Sequence, residues 1–188
     1  MCSSDLLTLL THTTYDQYRA WSRGLVWLLG PATVAFALPI YQHRHLMARL
    51  PWTMVAATLT GIVVALGSTW LCVWAFDLPV VWWHTLMPRS VSTPFALPIS
   101  VQLGGVGDLT VLSVLVTGLI GMVWGPGLLA CLGWDDPVTC GMALGASAHG
   151  IGTARAYQLS TMHGMLSSLT MIFSGIGLSL IAPWLAHV

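Results

Sequence analysis

Apolar residues along this chain come in long blocks, separated by short clusters of proline, glycine and charge. A helix needs an apolar run of about 20 residues to cross the hydrocarbon of a bilayer. Three runs reach that length: Trp52 to Phe76, Leu109 to Leu132 and His163 to Ala186. A fourth, Gly24 to Gln42, is interrupted by Gly30-Pro31 and Pro39. Trp52 and Trp74 lie 22 residues apart, roughly 33 Å along a helix. That places one indole near each headgroup layer, as interfacial aromatics prefer. Trp21, Trp27, Trp82, Trp83, Trp134 and Trp184 also fall near segment ends, whereas Trp124 does not fit the belt. Asp108 is expected to cap the helix that starts at Leu109. Within that helix Gly121 and Gly125 make a G-x-x-x-G spacing, which lets two backbones approach closely. The alternative is that membrane helices simply tolerate such glycines.

Two further stretches predict broken membrane segments. Pro79 to Leu103 is long enough to span, but carries Pro88, Pro94 and Pro98 around Arg89-Ser90-Val91-Ser92-Thr93. Proline removes a backbone donor and pushes the preceding residue out of the helical region. Val138 to Leu159 carries Gly141, Gly145, Gly150 and Gly152 around Ser147-Ala148-His149 and Thr153-Ala154-Arg155. Irregular backbone at membrane depth survives only where it is buried in protein or lines a wet cavity. The fold expected is all-α, a polytopic transmembrane helical bundle with two discontinuous helices.

Composition agrees with a bilayer as solvent. The chain has 188 residues, 56% of them hydrophobic and 6% charged, with a mean hydropathy of +0.80. A soluble domain carries about 25% charged residues. All six cations are Arg and all six acids Asp, so little is available to solvate a water-exposed surface. Zero net charge and the lack of a basic run argue against nucleic-acid binding. Cys2, Cys72, Cys131 and Cys140 include no C-x-x-C pair; buried, inert thiols are expected, and no metal or cofactor. The basic loop of His43, Arg44, His45 and Arg49 is assigned to the cytoplasm, although Arg19 and Arg23 then fall on the opposite face. No signal peptide is visible. Met1 to Leu6 reads like a translated sequencing adapter, which would make the chain a truncated one.

The candidate chemistry lies in the broken segments. Arg89 is flanked by Ser90, Ser92 and Thr93, and Arg155 follows Ser147 and Thr153. An arginine in a membrane costs at least about 2.5 kcal/mol and calls for a partner, yet Asp77, Asp108, Asp135 and Asp136 all lie at segment ends. An anionic substrate could supply the missing charge through a guanidinium–carboxylate pair, with half-helix N-termini assisting. The alternative is an arginine that snorkels or bonds freed carbonyls. His149 is a further candidate, as donor or proton carrier, against the plainer reading of a packed neutral histidine. Paired carboxylates, G-x-S-x-G, H-E-x-x-H and phosphate loops are all missing, so an enzyme is not expected. The residues point to a carrier of small anions.

The same residues resemble the LrgB/CidB family. The motifs are Leu29 to Tyr41, Pro88 to Ala96, Leu103 to Gly105, Thr117 to Pro126 and Ala143 to Ala156. The resemblance runs from about Tyr15 to Pro183, which makes 15–188 one family domain and 1–14 a segment outside it. Members usually carry further N-terminal helices, in line with truncation. The resemblance implies a multi-pass protein of the bacterial cytoplasmic membrane. It implies two functional readings. One is an antiholin-like modulator of murein hydrolase activity and autolysis, paired with a small holin-like protein of LrgA/CidA type. The other is a carrier of small monocarboxylates: glycolate and glycerate, as in the plastid relative, or pyruvate, to whose movement bacterial members are linked. The arginines favour the carrier, with Arg89, Ser90, Ser92, Thr93, Pro94, Ser147, His149, Gly150, Thr153 and Arg155 as its substrate site. Expected partners are lipid, a small carboxylate, a holin-like protein and a further copy in a homo-oligomer. The chain departs from the family at Gln158, Thr161 and His163, where glutamates are frequent, and at Pro98, where a polar or acidic residue is common. Coupling and specificity are therefore open.

Overall fold

A computed structural model describes residues 37–187 and, before them, Gly24, Trp27, Leu28, Gly30, Pro31 and Val34. The chain divides into Met1–Ala35 and Phe36–Val188. In the first unit Gly24, Trp27, Gly30, Pro31 and Val34 have helical backbone. Residues 1–14, Tyr15, Arg19, Trp21, Arg23 and much of the expected span from Gly24 lie outside the described residues.

In the second unit the described residues form helices and no strand. In chain order these are α1 (Ala37–Gln42), α2 (Arg44–Arg49), α3 (Pro51–Ala75), α4 (Val80–Leu86), α5 (Thr93–Gln102), α6 (Gly107–Cys131), α7 (Pro137–Leu159) and α8 (Thr161–Ile181). Short 3-10 turns cover Met87–Ser90 and Ala182–His187. The expected basic loop at residues 43–49 is thus largely helical, with Arg44 donating to the Tyr41 carbonyl and lying over its ring.

Among the described residues three helices are long and apolar enough to cross a membrane: α3, α6 and α8 with its extension to Leu185. They differ in burial. The apolar windows of α3 and α6 are 17% buried, that of α8 61%. Val63 and Val64 on α3, and Ile120 and Val123 on α6, are more than half exposed. Such continuous aliphatic faces are untenable in water and natural against lipid. Residues on α8 explain its central place. Gly164, Ser167, Ser168, Thr170, Ser174 and Gly175 are all buried, and small side chains let neighbouring helices approach. Thr170 and Ser168 satisfy their hydroxyls on carbonyls one turn back, at 2.9 and 2.8 Å, so burial leaves them bonded.

Helix α7 packs most extensively on α8, then on α6 and α3. The glycine row of α6 faces it. A side chain at Gly118 would meet the His149 ring at 2.7 Å, one at Gly121 would overlap Ala148, and one at Gly125 would meet Leu144 at 2.8 Å. The G-x-x-x-G spacing is therefore spent inside the chain, and the contacts show α6 and α7 to be antiparallel. The L-G-G stretch is a turn: Gly104 has φ +82, a conformation glycine adopts without steric cost. It brings Thr110 Oγ1 to 2.6 Å from Ser100 Oγ and 3.0 Å from the Thr85 carbonyl.

Three local expectations are corrected. Helix α6 starts at Gly107 with Val106 as its N-cap, so Asp108 sits in the first turn, where an acid complements the helix dipole. Trp83 is 5% exposed and belongs to the core with Met87 and Val91, whereas Trp52 and Trp74 are outward at the two ends of α3. Of the cysteines, Cys140 is buried and bonds the Trp134 carbonyl, but Cys72 and Cys131 are exposed on the apolar faces of α3 and α6. Cys2 lies outside the described residues.

Candidate functional site

Both predicted breaks are present. In the first, α4 tightens into the 3-10 turn Met87–Ser90, and Val91 and Ser92 are extended before α5 begins at Thr93. Pro88 and Pro94 occupy the opening positions of the 3-10 turn and of α5, where their missing N–H groups cost nothing. In the second, His149 interrupts α7 with φ 40 and ψ −132. A non-glycine residue rarely adopts that conformation, and strained positions of this kind collect at functional sites. The ring is 4% exposed and its Nε2 lies 2.9 Å from the Val114 carbonyl oxygen on α6. A carbonyl only accepts, so the imidazole donates from Nε2.

Two cavities adjoin the breaks. The first, about 620 Å³, runs along α3 from Thr53 to Ser68 and is bounded by Arg89, Ser90, Thr117, Thr139 and Ser147. The second, about 380 Å³, is bounded by Ser92, Thr93, Pro94, Val114, His149 and Gly150 among others. The ten expected site residues are thus divided. Arg89, Ser90 and Ser147 line one cavity; Ser92, Thr93, Pro94, His149 and Gly150 line the other. Thr153 and Arg155 line neither. Thr153 Oγ1 pairs with Ser167 Oγ at 2.9 Å, and Arg155 Nη1 donates to Gln158 Oε1 at 2.8 Å.

Arg89 is held by residues the sequence did not single out. Its Nε donates to Thr69 Oγ1 at 3.1 Å and its Nη2 to Ser68 Oγ at 2.8 Å. Both hydroxyls in turn donate to backbone carbonyls one turn back on α3, Thr69 to Ala65 at 2.9 Å and Ser68 to Val64 at 2.6 Å. A hydroxyl that spends its proton on the backbone keeps its lone pairs for a cation. Among the described residues no carboxylate pairs with this guanidinium. It keeps N–H groups beyond the two used, beside a cavity whose polar lining is mostly hydroxyl. Thr53, Thr60, Ser68, Thr69, Thr117 and Thr139 all escaped sequence reading, because isolated hydroxyls in an apolar span ordinarily bond their own helix. The adjacent pair Ser68-Thr69 was the available signal.

Two broken helices within a bundle of long apolar helices define a polytopic membrane protein with solute-sized cavities at its breaks. The chain belongs to the LrgB-like family, whose profile matches residues 2–188. It is 35% identical to the Bacillus subtilis protein named Uncharacterized protein YwbG, over 95% of this chain and 80% of that one. It is 31% identical to Holin-like protein CidB of Staphylococcus epidermidis, over 88% of this chain and 74% of the relative. Antiholin-like protein LrgB of B. subtilis is 26% identical over 90% of this chain and 74% of its own length. No solved structure matches the chain. Two of these three relatives carry holin-like or antiholin-like names, and none is named a carrier.

Proposed function

We propose that this chain is an antiholin-like membrane regulator of murein hydrolase activity and autolysis, acting in the bacterial cytoplasmic membrane with a holin-like partner. The observation that carries the reading is its likeness, over about nine-tenths of its length, to proteins named antiholin-like LrgB and holin-like CidB. The partner would not dock on the Gly121/Gly125 row, which α7 occupies; the outward faces of α3 and α6 are among the exposed apolar surfaces of the described residues that could take it. The test is the detergent-induced lysis rate of a host lacking its own homologue, with and without this gene and a neighbouring holin-like gene. A lysis rate that this gene changes only when the partner is present is expected. An unchanged rate in every combination would overturn the proposal.

A second reading, a carrier of short hydroxy- or keto-monocarboxylates, rests on a separate observation. Among the described residues Arg89 stands without a carboxylate beside a hydroxyl-lined cavity, and a charge so placed in a membrane protein marks a solute path by default. Neither reading calls for a cofactor or for catalysis. Uptake of labelled glycolate or pyruvate into proteoliposomes tests the carrier. Uptake that equals that of protein-free liposomes would sink it.

A further inference from the structure

We propose that the two cavities are successive compartments of one path for a small anionic solute, and that Val91 and Ala148 form the partition closing that path. The proposal rests on the carrier reading for its solute, but its geometry stands apart from any named substrate.

On the first break Ser90 lines the larger cavity and Ser92 the smaller, and Val91 between them is 1% exposed. On the second break Ser147 lines the larger cavity and His149 the smaller, and Ala148 between them is fully buried. Each break thus presents one side to each cavity. The cavities also follow one another along the helix axes. On α7 the larger cavity touches Thr139 to Ser147 and the smaller touches His149 to Ile151. On antiparallel α6 the order is reversed as it must be: the smaller cavity touches Val111 to Leu115, the larger Thr117. Two compartments in line, parted at the only irregular backbone of both segments, make a path interrupted at one level. Irregular backbone is tolerated at membrane depth where it lines such space.

The chemistry changes across the partition. The larger compartment holds Arg89, which attracts an anion. Among the described residues that line the smaller, none is charged apart from what His149 can carry. There Ser92 is the N-cap of α5, yet its hydroxyl makes no cap bond. Pro94 at the second helical position lacks the N–H that a capping serine would take. Among the described residues the buried Ser92 hydroxyl has no hydrogen-bond partner. With the N-terminus of α5 beside it, this wall favours the negative end of a solute. The partition itself is small: Ala148 sits where Gly121 leaves room for no more than a methyl, so a modest shift of α7 against α6 would open it.

Sidedness of labelling tests this. Ser147→Cys and Gly150→Cys are introduced singly into the whole chain, with the native cysteines replaced by alanine. Both positions are exposed, and a side chain at Gly150 meets only Met171 Sδ, at 4.0 Å. A charged, membrane-impermeant thiol reagent is applied to right-side-out and inverted vesicles. Ser147→Cys should react at least tenfold faster from one face and Gly150→Cys at least tenfold faster from the other. Equal rates from both faces, or a shared preferred face, would overturn the partition. Ala148→Gly should additionally raise passive efflux of labelled glycolate several-fold; unchanged efflux with intact sidedness would remove Ala148 from the barrier. Opposite sidedness with no protein-dependent uptake would count against the carrier reading and leave the partition standing.

Discussion

The imidazole of His149 donates from Nε2 to the main-chain oxygen of Val114, 2.9 Å away and 35 positions earlier in the chain. This bond ties the break in α7 to an unbroken helix, and it does so at a residue whose φ of 40 few side chains accept. The two effects oppose one another, which makes them separable by mutation.

His149→Ala removes the bond and keeps the backbone strain, whereas His149→Gly removes both. The bond is worth about 1 kcal/mol net and the strain about 1–3 kcal/mol. Thermal unfolding in detergent should therefore rank wild type and His149→Gly close together, with His149→Ala clearly less stable. Equal losses in the two variants would show that the conformation stores no strain.

Gly121 and Ala148 should behave as one packing unit. Gly121→Ala places a methyl on Ala148 and should destabilise the protein by about 1–3 kcal/mol, as overpacking does. Ala148→Gly in the same chain should restore most of that loss. A double-mutant cycle in detergent reads the coupling. Additive losses would mean that α6 and α7 do not meet at these residues.

Arg89 and Arg155 should separate in the uptake assay. Arg89→Gln removes two charge-assisted bonds and the cavity's cation, and should lower glycolate uptake at least tenfold, or about 1.4 kcal/mol. Arg89→Lys should not rescue it, because Nε and Nη2 engage two different hydroxyls and an ammonium lacks that fork. Arg155→Gln, which loses only the bond to Gln158, should stay within about threefold of wild type. A larger defect in Arg155→Gln than in Arg89→Gln would reverse the assignment.

Asp136 caps α7, accepting from the Val138 and Thr139 amides at 2.9 and 3.0 Å. The Thr139 bonds foremost hold its carboxyl below the ordinary value. A depressed carboxylate contributes stability that is present above the unfolded pKa, about 3.9, and is lost as the pH falls through the folded value. Asp136→Ala should cost about 0.5–2 kcal/mol at neutral pH. The gap from wild type should narrow below about pH 4 in thermal unfolding. A gap that stays constant to pH 3 would rule out the charge as the source.

Much of the fold was legible because lipid imposes a one-dimensional rule. A run of about 20 apolar residues spans, so α3, α6 and α8 could be placed from block lengths alone. The breaks were legible for a related reason: proline around Arg89 and glycine around His149 interrupt runs that otherwise continue. The family motifs fall on those same segments. What escaped was everything that depends on which face of a helix meets which neighbour. Trp82 and Trp83 are adjacent and alike in sequence, yet Trp83 is in the core. Cys72 and Cys140 both stand in apolar surroundings, and one faces outward.

Composition and block length, then, determined by themselves that this is an all-α membrane protein with two broken segments, since both follow from local chain chemistry. Only the tertiary structure decided how the candidate residues are grouped. Arg89 and Arg155 stand in equivalent-looking settings, but one is aimed by Ser68 and Thr69 of α3 beside a cavity and the other is paired with its own helix. Likewise the G-x-x-x-G row could have served a partner; the antiparallel approach of α7 takes it up. Side-chain partners across helices depend on register and rotation about each axis, and a sequence of nearly uniform apolar blocks carries little record of either.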